Sequence, residues 1–464
     1  MKKTNLLIII LVIAVNSVMA VDKHFTGSLS SEWLTAGNWD SGLPAAADNP
    51  KIDLTADAVV SAAGATGFIC FVDNGRTLTI PTGGTLALTS PSISALRLGD
   101  VGDANLVING GTLSHPFKYG GDFKCGNGSG TVNITVNSGT WNTRVISLGE
   151  AIVASGDLSQ WGDVTGVVTS TVNFLQNGGT IDLETGLTVG RGVVYVGYSS
   201  GSDVTYTMNG GTLKLTNLRF CFCGTYAAPA FGTFNLNSGT VTVKDVKVGY
   251  KGSGSTNGGT TNSPDSVATI VQAGGAMNVS GSLWVGEGNK QGVYSISGGT
   301  LSVTSNTLYN GLDGVGLFEI IGNTPVINVK TYTQNARSTL KPVITAGGVS
   351  KINVSTTATI TSGGLIDVSV QEGVSLTDGQ TFTIITAAGG ITLGTTSVIG
   401  DSCGHFTVAV VGNDLVLTYH ADSDLGRCYV LCENRPEYDF DNNCIVDIGD
   451  LSALCTEWLD SYLY

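Results

Sequence analysis

The chain has 464 residues, of which 65 are glycine, and charged residues make up only 12% of it. A single compact α/β core rarely combines this length with so much glycine and so little charge, so the composition favours a repeat architecture or several domains built from short strands and tight turns. The formal net charge of -14 argues against nucleic acid as a partner, because phosphate backbones bind basic surfaces.

Residues 1–20 have the order of a secretory signal peptide. Lys2 and Lys3 precede an apolar run over residues 6–15, and small residues follow up to Ala20, after which we expect cleavage. The apolar run is short for a bilayer span and no later segment approaches its length, so we expect no membrane span after cleavage. These features predict a secreted protein, extracellular or at the cell surface. The alternative is an uncleaved N-terminal anchor.

Residues 21–88 have a different texture and are predicted to form an N-terminal cap and the first turns of a repeat structure. Trp33 and Trp39 lie close to Pro44 and Pro50, ahead of the first regular strands. The first unit of a stacked repeat leaves one face uncovered, so aromatic residues there have a packing role as a cap. The alternative interpretation is that the two tryptophans stack against sugar rings.

A tetrapeptide recurs along residues 89–354 and marks where one strand ends and the next begins. It reads NGGT or NSGT at residues 109–112, 137–140, 177–180, 209–212 and 237–240. Degenerate copies begin at Ala273, Ser297 and Ile321, at intervals of 24 residues. Between the markers, short segments alternate apolar and polar residues, and several end in glycine, as at Gly149, Gly249 and the L-x-V-G segment of residues 283–286. The pattern predicts an all-β fold, a right-handed parallel β-helix (solenoid) with three short strands in each turn.

The asparagine of the marker suits a turn because it tolerates left-handed backbone. Equivalent asparagines on successive turns are also predicted to form a ladder of amide hydrogen bonds. The competing interpretation is that rows of Asn and Thr bind carbohydrate on a flat face. Longer repeat intervals, such as those containing residues 150–168 and 251–265, are predicted to add loops at one corner of the turn, where they disturb no strand pairing.

The L-x-V-G and S/N-G-G-T repeats resemble the passenger-type β-helix repeats of bacterial autotransporters and related secreted proteins. Within residues 355–420, the segments 378–385 and 413–417 are similar to the terminal, closing strands of such passengers. The resemblance implies a β-helical fold and an extracellular structural or adhesive role. The chain differs from an autotransporter because no series of amphipathic strands for a translocator barrel follows.

Residues 421–464 lose the strand pattern and contain a calcium-loop pattern. Oxygen side chains at loop positions 1, 3, 5, 9 and 12, with a main-chain carbonyl at position 7, are typical of calcium loops. Those positions are Asp439, Asp441, Asn443, Asp447 and Asp450, and Ile445 supplies the carbonyl. Because apolar residues follow at helical spacing, we predict a small C-terminal α-helical module with calcium as its cofactor. The alternative is an acidic, disordered tail.

This segment resembles one half of a type I dockerin, in which a calcium loop and the following helix bind cohesin. The resemblance implies a cohesin-like or cell-surface protein as the partner. Two features differ from that family. Cys444 stands at loop position 6, where glycine normally makes the bend, and one loop is evident where a complete dockerin has two.

The cysteines fit an exported protein. Four of them lie together in the C-terminal segment: Cys428, Cys432, Cys444 and Cys455. In an oxidising compartment they are predicted to form two disulfides of open connectivity. A zinc site is the alternative, although the uneven spacing argues against it. Cys221 and Cys223 are predicted to be buried thiols or a bridge.

No catalytic constellation is evident. β-Helical lyases and glycosidases place carboxylates on adjacent turns of one face, whereas pairs such as Asp182 with Glu184 and Asp100 with Asp103 are sparse, and the four histidines share no motif. The sequence therefore predicts a secreted structural or adhesive protein. The alternative is a carbohydrate-active protein with polysaccharide as its ligand: a polysaccharide lyase, an O-glycosyl hydrolase or a sugar-binding accessory.

Overall fold

The structure, a computed structural model, describes residues 20–90, 95–115, 122–126, 130–149, 170–183, 193–196, 201–220, 230–249, 266–287, 291–312, 314–400 and 404–421. Within these ranges the chain is all-β, and its only helix is a short 3-10 turn at Ala36–Asn38. No helix among the described residues is long and apolar enough to cross a membrane. The predicted calcium module lies outside these ranges, apart from Ala421.

The strands in chain order are β1 (Asp22–His24), β2 (Asn49–Ile52), β3 (Ala58–Val59), β4 (Ala65–Gly67), β5 (Cys70–Val72), β6 (Arg76–Pro81), β7 (Thr85–Leu88), β8 (Leu96–Leu98), β9 (Ala104–Ser114), β10 (Asp122–Cys125), β11 (Thr131–Asn142), β12 (Val145–Leu148), β13 (Thr171–Gln176), β14 (Thr180–Asp182), β15 (Val193–Val196), β16 (Asp203–Met208), β17 (Thr212–Phe220) and β18 (Phe231–Leu236). They continue with β19 (Thr240–Val248), β20 (Val267–Gln272), β21 (Ala276–Val279), β22 (Leu283–Glu287), β23 (Gln291–Ile296), β24 (Thr300–Leu312), β25 (Val315–Ile321), β26 (Val326–Gln334), β27 (Thr339–Ile344), β28 (Ile352–Val354), β29 (Ala358–Ile360), β30 (Leu365–Val370), β31 (Thr381–Ala387), β32 (Ile391–Leu393), β33 (Ser397–Gly400), β34 (Gly404–Val411) and β35 (Asp414–Ala421).

Nearly all of these strands pair in parallel, in three columns. The first column contains β3, β6, β9, β11, β13, β16, β18, β20, β23, β25, β27, β30 and β33. The second contains β4, β7, β9, β11, β14, β17, β19, β21, β24, β26, β28 and β31. The third contains β1, β2, β5, β8, β10, β12, β15, β17, β19, β22, β24, β26, β29 and β32.

The long strands cross from one column to the next, and the repeat period sets the register. β9 and β11 contribute to the first and second columns, whereas β17, β19, β24 and β26 contribute to the second and third. Val267 pairs with Gln291, and Gln291 pairs with Val315. Both offsets are 24 residues, which confirms the period predicted from the markers.

Alternation along each strand places one set of side chains in a single core. In β16, Val204, Tyr206 and Met208 are fully buried, whereas Asp203 and Thr205 face outward. This is the period of two that extended backbone imposes. Aromatic side chains from successive strands stack in the core, with ring centroids 5.8 Å apart for Trp141–Phe174, 4.2 Å for Phe174–Tyr206 and 5.0 Å for Tyr206–Phe234.

The marker tetrapeptides form the corners between the first and second columns, and their asparagines form the predicted ladder. The amide nitrogen of Asn177 donates to Asn137 Oδ1 at 2.9 Å, that of Asn209 to Asn177 at 3.0 Å, and that of Asn237 to Asn209 at 2.9 Å. The last glycine of the marker is required on two counts. At Gly211, φ is +80° and a Cβ atom would lie 2.4 Å from the Gly179 carbonyl oxygen.

Buried tyrosine–glutamine pairs support the same corners from inside. The Tyr294 hydroxyl donates to Gln272 Oε1 at 2.6 Å, and Gln272 Nε2 donates to the Thr300 carbonyl at 3.0 Å. The Tyr206 hydroxyl donates to Gln176 Oε1 at 2.7 Å, and Gln176 in turn donates to the Thr212 carbonyl. Each pair therefore satisfies a corner carbonyl on the following strand.

The inserted segments do not all fall at one corner. Most lie between a third-column strand and the next first-column strand, as between β12 and β13 and between β19 and β20. Another insertion separates β14 of the second column from β15 of the third. The prediction of a single tolerant corner is therefore wrong for this repeat, because any corner outside the paired segments accepts added length.

The two ends of the columns are built differently. At the first end, the centroid of the Trp33 ring lies 4.8 Å from that of the Trp39 ring. The backbone N–H of Trp33 donates to the Val59 carbonyl of β3 at 2.8 Å. At the other end the pairing becomes antiparallel, with β35 paired to both β31 and β34. These are the only antiparallel strand ladders within the described ranges.

Candidate binding surface

The predicted calcium ligands lie outside the described residues, so the calcium site stays a prediction from the sequence pattern. They are Asp439, Asp441, Asn443, Ile445, Asp447 and Asp450. Among the residues that the structure does describe, no group of three or more His, Cys, Asp or Glu side chains has the arrangement of a metal site.

Trp33 and Trp39 have the packing role of a cap. Trp33 is fully buried and Trp39 is 4% exposed. The two rings pack edge to face, and Trp39 Nε1 donates to the Trp33 carbonyl at 2.7 Å. Because neither ring offers a free face, the sugar-stacking interpretation of these tryptophans is wrong.

The acidic pairs singled out from the sequence do not form a catalytic pair. Asp100 forms an ion pair with Arg97 at 2.5 Å. The Asp103 carboxylate accepts a hydrogen bond from the backbone N–H of Thr131, the first residue of β11, at 2.7 Å. Asp182 faces outward at the end of β14, and its sequence neighbour Glu184 lies outside the described residues. None of these contacts resembles two carboxylates facing one cleft.

The described cysteines are buried and unreactive. Cys70 and Cys125 have no exposed surface, and the Cys125 thiol donates to the Ser147 carbonyl at 3.6 Å. Burial, and secondarily the charge of Asp73, raises the pKa of the Cys70 thiol far above its ordinary value, which suppresses the nucleophilic thiolate. The remaining cysteines lie outside the described residues: Cys221, Cys223, Cys403, Cys428, Cys432, Cys444 and Cys455.

Two of the four histidines meet, which the sequence did not suggest. His405 and His420 are register partners on β34 and β35, and their ring centroids lie 5.1 Å apart. His24 instead contacts Asp53 at 2.8 Å, and the His115 ring contacts the Ser90 carbonyl at 2.7 Å. The histidines therefore occupy three separate environments.

One outward-facing row of side chains differs from the rest of the exterior. It occupies the middle position of ten consecutive third-column strands, from β2 to β24, and we call it the cation–aromatic row. Its members, in register, are Lys51, Phe71, Arg97, Lys124, Ser147, Tyr195, Arg219, Lys247, Trp284 and Tyr309. Since neighbouring strands lie about 4.8 Å apart, the row is about 43 Å long.

Cations of the row pack on its aromatic rings. The Lys51 ammonium and the Arg97 guanidinium each lie 5.2 Å from the Phe71 ring centroid. The Lys247 ammonium lies 4.8 Å from the Trp284 ring, whose other neighbour in register is Tyr309. Such contacts contribute about 0.5–2 kcal/mol each, depending on exposure.

The remaining aromatic contacts follow the same pattern. The Trp284 and Tyr309 rings are stacked at 5.9 Å with an interplanar angle of 9°. The Arg219 guanidinium lies 5.8 Å from the Tyr195 ring and donates to its hydroxyl at 3.3 Å. The ring faces therefore look along the columns, towards neighbouring side chains. Two central members are covered, since Ser147 is 2% and Tyr195 is 8% exposed, so the row is accessible only on either side of them.

Carboxylates at the margins of the row hold three of its cations. Lys51 pairs with Asp22 at 2.6 Å, Arg97 pairs with Asp100, and Lys247 pairs with Glu287 at 3.0 Å. The three cationic side chains are 18% to 25% exposed. Partial burial and ion pairing fix these groups in place, which lowers the entropy lost when a ligand binds them.

Register alone also places like charges side by side within the row. Arg97 is the register partner of Lys124, and Arg219 is the register partner of Lys247. Directly opposed like charges destabilise a sheet. The fixed cations, hydroxyls and ring edges in the accessible stretches of the row, from Lys51 to Lys124 and from Arg219 to Tyr309, have the chemistry to bind a polar ligand.

The sequence contained a signal for this row. Seven of its ten members stand two residues before a glycine, as in Leu96-Arg97-Leu98-Gly99 and Leu283-Trp284-Val285-Gly286, whereas Lys51, Phe71 and Arg219 do not. The glycine marks the bend at the strand end, and the residue two positions before it falls in the row. Aligning the repeats on this glycine brings those seven members to one position.

No protein-family model matches the chain, and no curated protein sequence matches it.

Proposed function

We propose that this chain is a secreted extracellular structural or adhesive protein built as a right-handed parallel β-helix. The observation that carries the proposal is the uninterrupted parallel pairing of three columns, from β2 to β33. Three columns that share one core are what a solenoid requires. Right-handedness follows from the strong general preference of parallel crossover connections.

Export is supported by residues 1–20, in which two lysines precede an apolar run and small residues, the order of a secretory signal peptide. The acidic, glycine-rich exterior also suits a protein that stays soluble outside the cell. A long, rigid body with repeated surface positions is suited to spacing or adhesion, because it presents the same contact many times along one axis.

The C-terminal segment is proposed as the attachment module. Calcium bound by residues 439–450 would order the following helix, and a cohesin-like or cell-surface protein would be its partner. The support is the ligand spacing of the sequence.

A second candidate function is that of a polysaccharide-binding accessory in a carbohydrate-active system. The cation–aromatic row favours it, because its fixed cations, hydroxyls and ring edges suit a polyhydroxylated chain lying along the columns. A lyase or glycosidase would need paired carboxylates in one groove, and the described residues offer none.

A binding and degradation screen tests both candidates. The mature protein is incubated with soluble and insoluble polysaccharides and with cell-wall preparations, with and without calcium. We expect binding without release of sugar products. Products would instead establish the enzyme alternative, and absence of binding under every condition would refute the adhesive role.

A matched pair of variants tests the row itself. Arg97→Ala combined with Lys124→Ala should weaken binding to the captured polysaccharide at least fivefold. The control, Lys214→Ala combined with Lys330→Ala, removes two exposed lysines of the second column and should leave binding unchanged. Equal losses in both would show a nonspecific charge effect.

A further inference from the structure

Among the described residues, no strand pairs on the outer edges of the last strands of the first and third columns, although β33 contacts β34 and the Phe406 ring packs near Gly400. β31, which ends the second column, is paired with β35. β32 and β33 end the other two columns, and among the described residues no strand pairs with their outer edges. The first end, in contrast, is closed by Trp33 and Trp39.

Side chains that face the core in these two strands are correspondingly open. Ala358, Ile360 and Ile366 of the preceding strands are at most 1% exposed. Their register partners Ile391, Leu393 and Val398 are half-buried, although they pack on the same core. The difference follows from the position of β32 and β33 at the end of their columns, because among the described residues no further strand pairs with either of them. Terminal units of stacked repeats need a cap for this reason.

The edges themselves are unprotected by charge. Exposed edge strands are usually defended by charged residues. β1, at the first end, has Asp22 and Lys23, ion-paired with Lys51 at 2.6 Å and Asp48 at 3.1 Å. β32 reads Ile-Thr-Leu and β33 reads Ser-Val-Ile-Gly, with no charge in either. This end therefore combines an apolar surface with strand edges that are open to pairing.

We propose that the chain's own C-terminal segment, residues 422–464, folds back and covers this end of the columns. The segment follows β35 directly, and β35 is paired with the last strand of the second column. Ala421, the last residue of β35, is the register partner of Gly404, four residues after the end of β33. The segment therefore starts near the end of β33. Such a tether gives an effective concentration in the millimolar range, which a second copy or an outside partner does not reach in dilute solution.

The sequence of the segment supplies the required apolar side chains. Leu451, Leu454 and Trp458 recur at helical spacing, and an aliphatic–aromatic stripe of this kind matches the half-buried Ile391, Leu393 and Val398. The proposal goes beyond the proposed adhesive function because it concerns contacts within the chain, and it does not depend on a polysaccharide. Loss of adhesion would leave it standing.

Hydrogen exchange of the full chain, followed by mass spectrometry, tests the proposal. The variants are Trp458→Asp, which places a charge on the apolar stripe, and Thr456→Asp, which adds the same charge off the stripe. We expect amides of residues 391–400 to exchange at least tenfold faster in Trp458→Asp and at the wild-type rate in Thr456→Asp. Slow exchange of residues 352–360 in all three proteins verifies that the fold is intact.

Two outcomes would overturn the proposal. The first is an exchange rate at residues 391–400 that is the same in the wild type and both variants. The second is protection that is lost when the wild-type protein is diluted and is insensitive to Trp458→Asp, because it would assign the covering surface to a second copy.

Discussion

A Tyr294→Phe substitution removes one hydroxyl group from the core and keeps the ring. The hydroxyl donates to Gln272 Oε1 at 2.6 Å, and both side chains are fully buried. Without this donor, the Gln272 oxygen is left as an unsatisfied buried acceptor, which costs about 1–3 kcal/mol. Since stability in stacked repeats depends on neighbouring units, we expect the loss to be concentrated in β20, β23 and β25.

Native-state hydrogen exchange measures this local loss directly. Amides of residues 267–272 and 291–296 should exchange about five to 150 times faster, because about 1.4 kcal/mol is a factor of ten. Tyr309→Phe is the matched control, since its ring faces outward on β24, and a surface change of this kind alters stability by less than about 0.5 kcal/mol. Equal exchange in the two variants would refute the assigned role of the Tyr294–Gln272 hydrogen bond.

Three further predictions concern pH and calcium. Burial raises the pKa of Tyr206, Tyr294 and Tyr332 above the ordinary 10.0, so above that pH the unfolded chain loses phenolic protons first and the free energy of unfolding should fall by up to about 4 kcal/mol per pH unit; urea midpoints that stay constant up to pH 11 would contradict this. Burial, followed by the charges of neighbouring carboxylates, raises the pKa of Asp73, so ionised Asp73 opposes folding at neutral pH. Asp73→Asn should therefore raise the urea midpoint at pH 7 and lose this advantage below the ordinary pKa of 3.8; a lower midpoint at pH 7 would contradict it. Asp441→Ala should abolish the heat of calcium binding in calorimetry of the full chain, whereas Asp203→Ala should retain it; calcium binding by Asp441→Ala would refute the proposed loop.

The corners could be predicted from the sequence because their chemistry is local. The marker glycine requires positive φ at Gly211, and the preceding asparagine suits the same turn. Each marker occupies the same corner of its turn, so Asn177 and Asn209 meet in the predicted ladder although the intervals between markers vary. The repeat period and the alternation of apolar residues likewise depend only on residues near one another in the chain.

The surface rows could not be predicted in the same way because they depend on register between distant segments. Tyr195 and Arg219 become neighbours only when β15 pairs with β17, and the intervening loops vary in length. The pairing of Tyr206 with Gln176 has the same origin, since 30 residues separate them. The aromatic segment around Trp33 allowed two interpretations because composition does not reveal whether a ring is covered.

The like-charge neighbours in the cation–aromatic row bear on the proposed binding role. Parallel stacking places Arg97 against Lys124 and Arg219 against Lys247, and carboxylates offset part of the resulting repulsion, since Arg97 pairs with Asp100 and Lys247 pairs with Glu287. A row selected for stability alone would alternate cations with carboxylates or rings, as it does around Phe71. Destabilising arrangements persist where they serve function. The repeated cations are therefore the feature that the polysaccharide-binding proposal would use, and Arg97→Ala combined with Lys124→Ala tests it.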